Sequence, residues 1–192
     1  DALAKQAAAL ILSLEGSICL WQGEELGQTD TDLTYDELTD PQGIAFWPEP
    51  VGRDNTRTPM VWDGTAHGGF TSGTPWLPVK APQLARNAVA QAADPDSVLN
   101  HYKLMLRYRR ARPELRTART RFLDLPDPVL GFTRGDGLAC FFNLSPAETI
   151  LRIKGLAAIT GPSLAATVDG DTLILGPNGV AFATTSGGVE AR

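Results

Sequence analysis

The sequence predicts an α/β segment followed by an all-β domain, and two stretches carry that reading. Residues 1–21 give a helical pattern, a short link and a continuous apolar run, whereas from about residue 115 onward short β-rich runs alternate with turn residues. In DALAKQAAALILSL, Leu3, Ala7, Leu10, Ile11 and Leu14 fall at helical spacing, with Asp1 as N-cap and Gly16 as stop. Ser17–Trp21, SICLW, has no polar alternation and reads as a strand buried on both faces, as in a parallel sheet covered by helices. Helix, link and buried strand make the repeating unit of an α/β fold.

After that run comes Gln22-Gly23-Glu24-Glu25-Leu26-Gly27, then an irregular stretch to about Pro82 rich in Gly, Pro, Asp and Thr. All four tryptophans lie between positions 21 and 76, inside it. An aromatic and charged loop at the C-terminal end of a buried strand is where α/β folds place their sites. The structural alternative is an Ω-like loop closed on its own aromatics.

Asp94-Pro95-Asp96-Ser97 is a helix start, and Val98, Tyr102, Met105 and Leu106 recur at spacings of three and four up to a stop near Pro113. Gly135-Asp136-Gly137 between Val129–Arg134 and Leu138–Asn143 predicts a hairpin. Glu148–Ile153, Ser163–Thr167, Asp171–Leu175 and Val180–Thr184 are further strands of a sandwich-like domain, with Gly187-Gly188 opening a frayed tail.

A chain of 192 residues can bury one sizeable core, or one small domain plus part of another. Its net charge of −5 is uneven: residues 1–63 hold twelve acids against three bases. That excludes nucleic acid as a partner of this part, since phosphate binding needs surplus Lys and Arg. The basic stretch Lys103–Arg121, with eight bases and one acid, lacks aromatic interleaving and reads as a solvated helix face. Cys19 and Cys140 sit in apolar runs and read as small core residues, with no His or Cys at metal-ligand spacing. No apolar run reaches the roughly 18 residues of a membrane span. No metal, cofactor or membrane partner is implied, and a cytoplasmic location is the expectation.

For glycosidic hydrolysis two carboxyl groups must face one cavity. Glu24 and Glu25 are neighbours and point apart, so one of them is expected to orient a buried arginine instead. Asp30, Asp32, Asp36, Glu37 and Asp40 read as solvated charge. In Gly52-Arg53-Asp54-Asn55-Thr56-Arg57, the planar fork of Arg53 suits vicinal sugar hydroxyls or a carboxylate, and a rim salt bridge holding the loop is the competing role.

Four ordered motifs then carry a resemblance: QGEELG at 22–27, DPQGIAFWPE at 40–49, GRDNTRTPM at 52–60 and HGGFTSGTPWLP at 67–78. With the helix ending in RRARPELR at 109–116, they resemble the α-glucosidase and oligo-1,6-glucosidase branch of glycoside hydrolase family 13 over residues 1–145. The resemblance implies a retaining enzyme on a (β/α)8 TIM barrel, acting on small α-glucosides or malto-oligosaccharides. The last strand and helices of that barrel, with the active-site loop, would occupy 1–113, a C-terminal β-sandwich 114–187 and a tail 188–192.

By the same resemblance Arg53 binds the terminal glucose and pairs with a pocket aspartate. Glu25 stands at an acidic position after the eighth strand, and Trp47 lies near the pocket mouth. Asp54, Arg57 and Gln22 are supporting positions. The family's three catalytic acids lie on earlier strands, the last in an Asn-His-Asp motif that this sequence lacks. The upstream barrel segment is therefore required, and the reading frame before Asp1 is expected to encode that motif. Only 24 residues, 28–51, separate QGEELG from GRD, fewer than in oligo-1,6-glucosidases, so a maltase-like α-1,4 or transglucosylating member fits better. Two other roles stay open: a non-catalytic relative serving as partner of a membrane transporter, and a stand-alone carbohydrate-binding β-domain. The second would need a planar row of exposed aromatics, and residues 115–187 offer only phenylalanines in strand runs.

Overall fold

The computed structural model describes residues 1–191, in which two compact units are distinct: residues 1–19 with 101–191, and residues 20–100. The helices are α1 (Ala2–Ser13), α2 (Pro41–Ala45), α3 (Ala81–Leu84), α4 (Ala88–Ala93), α5 (Val98–Ala111) and α6 (Pro113–Thr117). The strands are β1 (Thr120–Phe122), β2 (Val129–Arg134), β3 (Leu138–Asn143), β4 (Thr149–Asp169) and β5 (Thr172–Ala191). The boundary read from the sequence at 113/114 falls inside the first unit.

That first unit is built on one antiparallel sheet in the order β1-β2-β3-β5-β4. The hairpin stands where the turn chemistry puts it, with Gly135 at φ +60° and Arg134 opposite Leu138. The four strands expected between 148 and 184 are two long ones that bend and exchange partners. Thr149–Arg152 and Ala166–Asp169, the two ends of β4, both pair with Thr172–Leu175, while the second half of β5 pairs with β3 at 180–184. Register shifts at 152/153, 154/156 and 160/164 let the strand turn, and they sit beside Gly155 and Gly161, both at positive φ. The sheet thus curls over a core of Phe141, Leu151, Ile153, Leu173 and Leu175.

Because side chains alternate along a strand, Phe132, Phe142 and Phe182 emerge together on another face. They form a chain of ring contacts running from Phe122 at 5.7 Å to Tyr108 of α5 at 5.3 Å. All three are fully buried, each contributing about 1.5–3 kcal/mol of hydrophobic stabilisation. On α5, Tyr102 and Met105 are buried as the spacing predicts, but Leu106 is exposed.

Helix α1 ends at Ser13 without a basic residue in its last turn. Its carbonyls are met from a distance. Arg109 Nη1 donates to Leu12 O and Leu14 O, both at 2.9 Å, and Nη2 to Gly16 O at 2.9 Å. Arg134, which has no exposed surface, donates to Ser13 O, to Leu115 O at 3.2 Å and to Ala118 O at 2.9 Å. Glu15 accepts from Thr120 N and pairs with Arg119 at 2.7 Å, which together hold its carboxyl below the usual range. Arg112 donates to Thr160 and lies over the Tyr108 ring. The basic stretch is therefore only partly a solvated face; isolated carbonyls at a helix end recruit its arginines.

Three further expectations are corrected. Ser17–Trp21 is not a strand: among the described residues it has no strand neighbour, and Leu20 and Trp21 are exposed. Cys19 in that run is exposed for the same reason, whereas Cys140 is buried in β3. The tail expected at 188–192 is strand as far as Ala191, and Arg192 lies outside the described residues.

Replacing Arg134 by Met would leave its three carbonyl partners without a donor in a closed space, each costing about 1–3 kcal/mol. Urea unfolding should show a loss above about 3 kcal/mol, against less than about 0.5 kcal/mol for Met at the exposed Arg110.

His101 is buried, its Nε2 has no hydrogen-bond partner, and burial first, then the Lys5 charge, pulls its pKa down to about 4. Because the folded pKa lies below the unfolded one, its contribution is complete above pH 6.5 and is lost as pH falls toward 4. At pH 5 the loss is on the order of 2 kcal/mol. Denaturation curves at pH 7.5 and 5 should converge when His101 is replaced by Phe.

Candidate functional site

The unit 20–100 contains no strand, so its backbone groups must find other partners. Side chains supply many of them. Arg86 Nε donates to Gly27 O at 2.8 Å, Gln91 Nε2 to Leu26 O at 2.8 Å and Gln28 Nε2 to Gln83 O at 3.1 Å. Gln83 reaches Thr58 Oγ1 at 2.5 Å, and Lys80 pairs with Glu37 at 2.5 Å. Leu26, Met60, Val61 and Leu77 are buried within it. The tryptophans stay outside: Trp21, Trp47, Trp62 and Trp76 are 47–62% exposed, so the loop is not closed on its own aromatics.

Arg53 has its side chain 64% exposed, yet its backbone is fixed: its N–H donates to Asp40 Oδ2 at 3.0 Å, and its Nε lies 3.8 Å from the same oxygen. Against the expectation of solvated charge, the Asp40 side chain is only 8% exposed. It is an N-cap, accepting from Gln42 N at 3.0 Å, with Pro41 at the first helical position of α2. The bonds from Gln42 N and Arg53 N, then the charges of Arg53 and Arg57, hold its carboxyl below the usual range. A capping aspartate before proline was the available signal; its second role at Arg53 depends on a fold that only the tertiary structure shows.

Asp54 is buried and accepts from Thr39 N at 2.6 Å, Asp40 N at 2.7 Å and Thr39 Oγ1 at 3.0 Å. Arg57 is exposed. Glu25 does not orient an arginine through the oxygen that is bound; its Oε2 turns back to Gly23 N at 2.8 Å, as Glu24 turns back to Trp21 N at 2.9 Å. Both bonds close the tight turn that precedes the 3-10 segment Glu24–Leu26, where Gly23 at φ +94° permits the reversal.

Two clefts divide the candidates. One of about 270 Å³ is lined by Trp21, Gln22, Glu24, Asp30, Asn55 and Gln83. Gln22 reaches Thr58 O there at 3.5 Å, and Asn55 donates to Asp30 at 2.9 Å. The other, about 250 Å³, is lined by Leu33, Trp47, Pro48, Glu49, Gly52 and Asp54. Trp47 meets Tyr35 edge to face at 6.0 Å on that side. The fold therefore places Asp54 and Trp47 on the second cleft and Gln22 on the first, while Arg53 is tied to Asp40.

Arg53 thus combines a main chain tied to Asp40 with an exposed side chain, and the comparisons give the family to which the chain belongs. Residues 1–118 match the family model described as alpha amylase, catalytic domain. The chain belongs to the alpha-amylase family, in its α-glucosidase branch of glycoside hydrolase family 13. A probable alpha-glucosidase of Rhizobium meliloti is 43% identical over 166 residues, spanning 84% of this chain and 30% of that protein. A glucan 1,6-alpha-glucosidase of Streptococcus pneumoniae is 32% identical over 172 residues, spanning 79% of this chain and 32% of that protein.

Among solved structures, an alpha-glucosyl transfer enzyme superposes with a TM-score of 0.86 at 38% identity, over 96% of this chain and 36% of that one. A trehalulose synthase superposes at 0.83 with 27% identity, over 96% and 38%. The chain thus spans about a third of the length of the relatives it matches. Its fold is that of the C-terminal end of a (β/α)8 barrel followed by an antiparallel β-domain.

Proposed function

We propose that this chain is the C-terminal third of a retaining α-glucosidase, and that it contributes one wall of the sugar pocket while the catalytic carboxylates come from the preceding barrel segment. The observation that carries this is Arg53: the main chain is tied to the half-buried Asp40 while the guanidinium is exposed. A planar fork held at its base and open at its tip suits bidentate hydrogen bonding to the hydroxyls of a terminal glucose, with a carboxylate of the preceding segment as counter-ion. Trp47, exposed one cleft away, offers an apolar face to the same ligand. Substrates of this reading are small α-glucosides or malto-oligosaccharides, cleaved by hydrolysis or passed to a second sugar.

The unpaired apolar run Ser17–Trp21 supports the same reading. Leu20 and Trp21 present side chains to solvent that a neighbouring strand on either side would cover. In a retaining glycosidase one carboxylate attacks the anomeric carbon while an acid about 5–5.5 Å away protonates the leaving oxygen. Neither role is assigned to a residue of this chain.

Two measurements test the proposal. The isolated chain should not release the chromophore from an aryl α-glucoside at any pH, and turnover that persisted through repurification and disappeared on changing Glu24 or Glu25 would overturn it. In the complete protein, Arg53→Ala should lower kcat/KM by on the order of 10²- to 10³-fold, since it leaves a buried carboxylate uncompensated. Both KM and kcat should suffer, because the lost contacts act on substrate and on transition state. Arg53→Lys keeps the charge without the fork and should recover only part; Arg57→Ala should do less damage than either. A rim salt bridge predicts instead a lower melting temperature with near-normal kinetics in folded Arg53→Ala.

A further inference from the structure

The three donors on Asp54 and the two contacts from Asp40 to Arg53 form one closed circuit. Asp54 Oδ2 holds the backbone N–H groups of Thr39 and Asp40, at 2.6 and 2.7 Å, and Oδ1 accepts the Thr39 hydroxyl at 3.0 Å. Asp40, so placed, accepts the N–H of Arg53 and meets its guanidinium. The carboxylate next to Arg53 in sequence thus acts on it through another loop, by fixing the residue that fixes it. A second clamp lies alongside. A Cβ built on Gly52 would sit 2.8 Å from the Gly43 Cα, closer than side chains tolerate, so the two loops are in backbone contact.

We infer that Asp54 is a positioning residue for Arg53, acting through Asp40, and that its buried carboxylate sets where the guanidinium stands in the sugar pocket. The inference rests on the sugar-binding role proposed for Arg53. An exposed arginine has a long flexible stem; Asp40 meets its guanidinium and accepts its main-chain N–H, while Thr56 holds its carbonyl, so release of the Thr39–Asp40 turn frees the N–H side of Arg53 and its counter-ion. Misplacement of a positioning group by about 1 Å can cost 10²-fold in rate. The chemistry at Asp54 is geometric. In Asp54→Asn the amide oxygen can keep both backbone N–H bonds while Nδ2 donates to Thr39 Oγ1, which is able to accept.

The test is a double-mutant cycle in the complete enzyme, read as kcat and KM for an aryl α-glucoside. Asp54→Ala should lower kcat/KM about 100-fold with most of the change in KM. Asp54→Asn should recover most of it. In the Arg53→Ala background, Asp54→Ala should add nothing further, because its effect passes through the residue already removed. Should Asp54→Ala fail to fold, Thr39→Val removes one of the three donors; its smaller loss should likewise vanish when Arg53 is absent. Equal losses with and without Arg53, an Asn variant as impaired as Ala, or wild-type kcat/KM in folded Asp54→Ala would each overturn the inference. If Arg53→Ala itself keeps wild-type kcat/KM, the sugar-binding role fails first, an outcome distinct from additivity in the cycle.

Discussion

The C-terminal end of α1 is the constraint on which the first unit depends. A helix end leaves carbonyl groups without intrahelical donors and carries a partial negative charge. α1 has no basic residue in its last turn, so the charge is supplied by Arg109 from α5 and Arg134 from β2. Each guanidinium spans more than one carbonyl, which a lysine ammonium could not do with the same planar geometry. Arg134 also takes the carbonyls of Leu115 and Ala118, so a single side chain ties α1, the end of α6 and the start of β1 to the central hairpin. Burial lowers the pKa of both arginines, with Arg134's charge a further cause at Arg109. The carboxylate of Glu15 counters part of this at Arg134. Gln6 adds a second tie, donating to Asn143 O at 2.6 Å, while the Asn143 amide itself holds Ala147 O and Gly176 O. The β-domain and the first helix therefore form one unit through polar groups, with the phenylalanine chain filling the space between sheet and α5.

In residues 20–100 the same accounting is met by different means. A long segment without a ladder satisfies its backbone through glutamines, arginines and carboxylates, each fitted to a particular turn. Such a segment holds its shape only if many individual bonds are correct at once. It also explains why the loop can leave its tryptophans outside: its order does not come from aromatic packing, so those rings remain available as apolar faces.

How much of this was legible follows from the range of each signal. Local signals were sufficient for α1, α5 and the hairpin, because helix spacing, the capping sequence before Val98 and Gly135-Asp136-Gly137 all act within a few residues. β4 and β5 read as four short strands because Gly161 and Gly176 look like ends, whereas in the curled sheet Gly161 marks a bend within β4 and Gly176 lies inside β5. Arg134 at the end of a strand pattern, and Asp40 in an acidic loop, gave no local sign of burial; their partners lie 121 and 13 residues away. A motif singles out Arg53 as a candidate from sequence, whereas the position of Asp40 is defined by the loop that packs beside it and carries no such mark. Ser17–Trp21 marks the reverse case. Its apolar pattern is that of a strand, but pairing is a property of neighbours, and no described residue provides one.

The carboxylates of the site segment supply the last step. A glycosidase acid must hold a proton near neutral pH, which requires a raised pKa and few donors to the charged form. Here the acids are arranged in the opposite sense. Asp40 accepts two backbone N–H groups, and Asp63 accepts the Thr65 hydroxyl and N–H. Glu37 is bound by Lys80 and by Thr34 N. All three carboxyls are held below their ordinary range by those bonds. Asp54, which is buried, accepts three bonds from the Thr39–Asp40 turn. Carboxyls held toward the ionised form, as those of Asp40, Asp63 and Glu37 are, fix loops and orient a cation well, and deliver protons poorly. The division of labour proposed for the complete enzyme, binding from this segment and acid chemistry from the preceding one, is the arrangement these carboxylates favour.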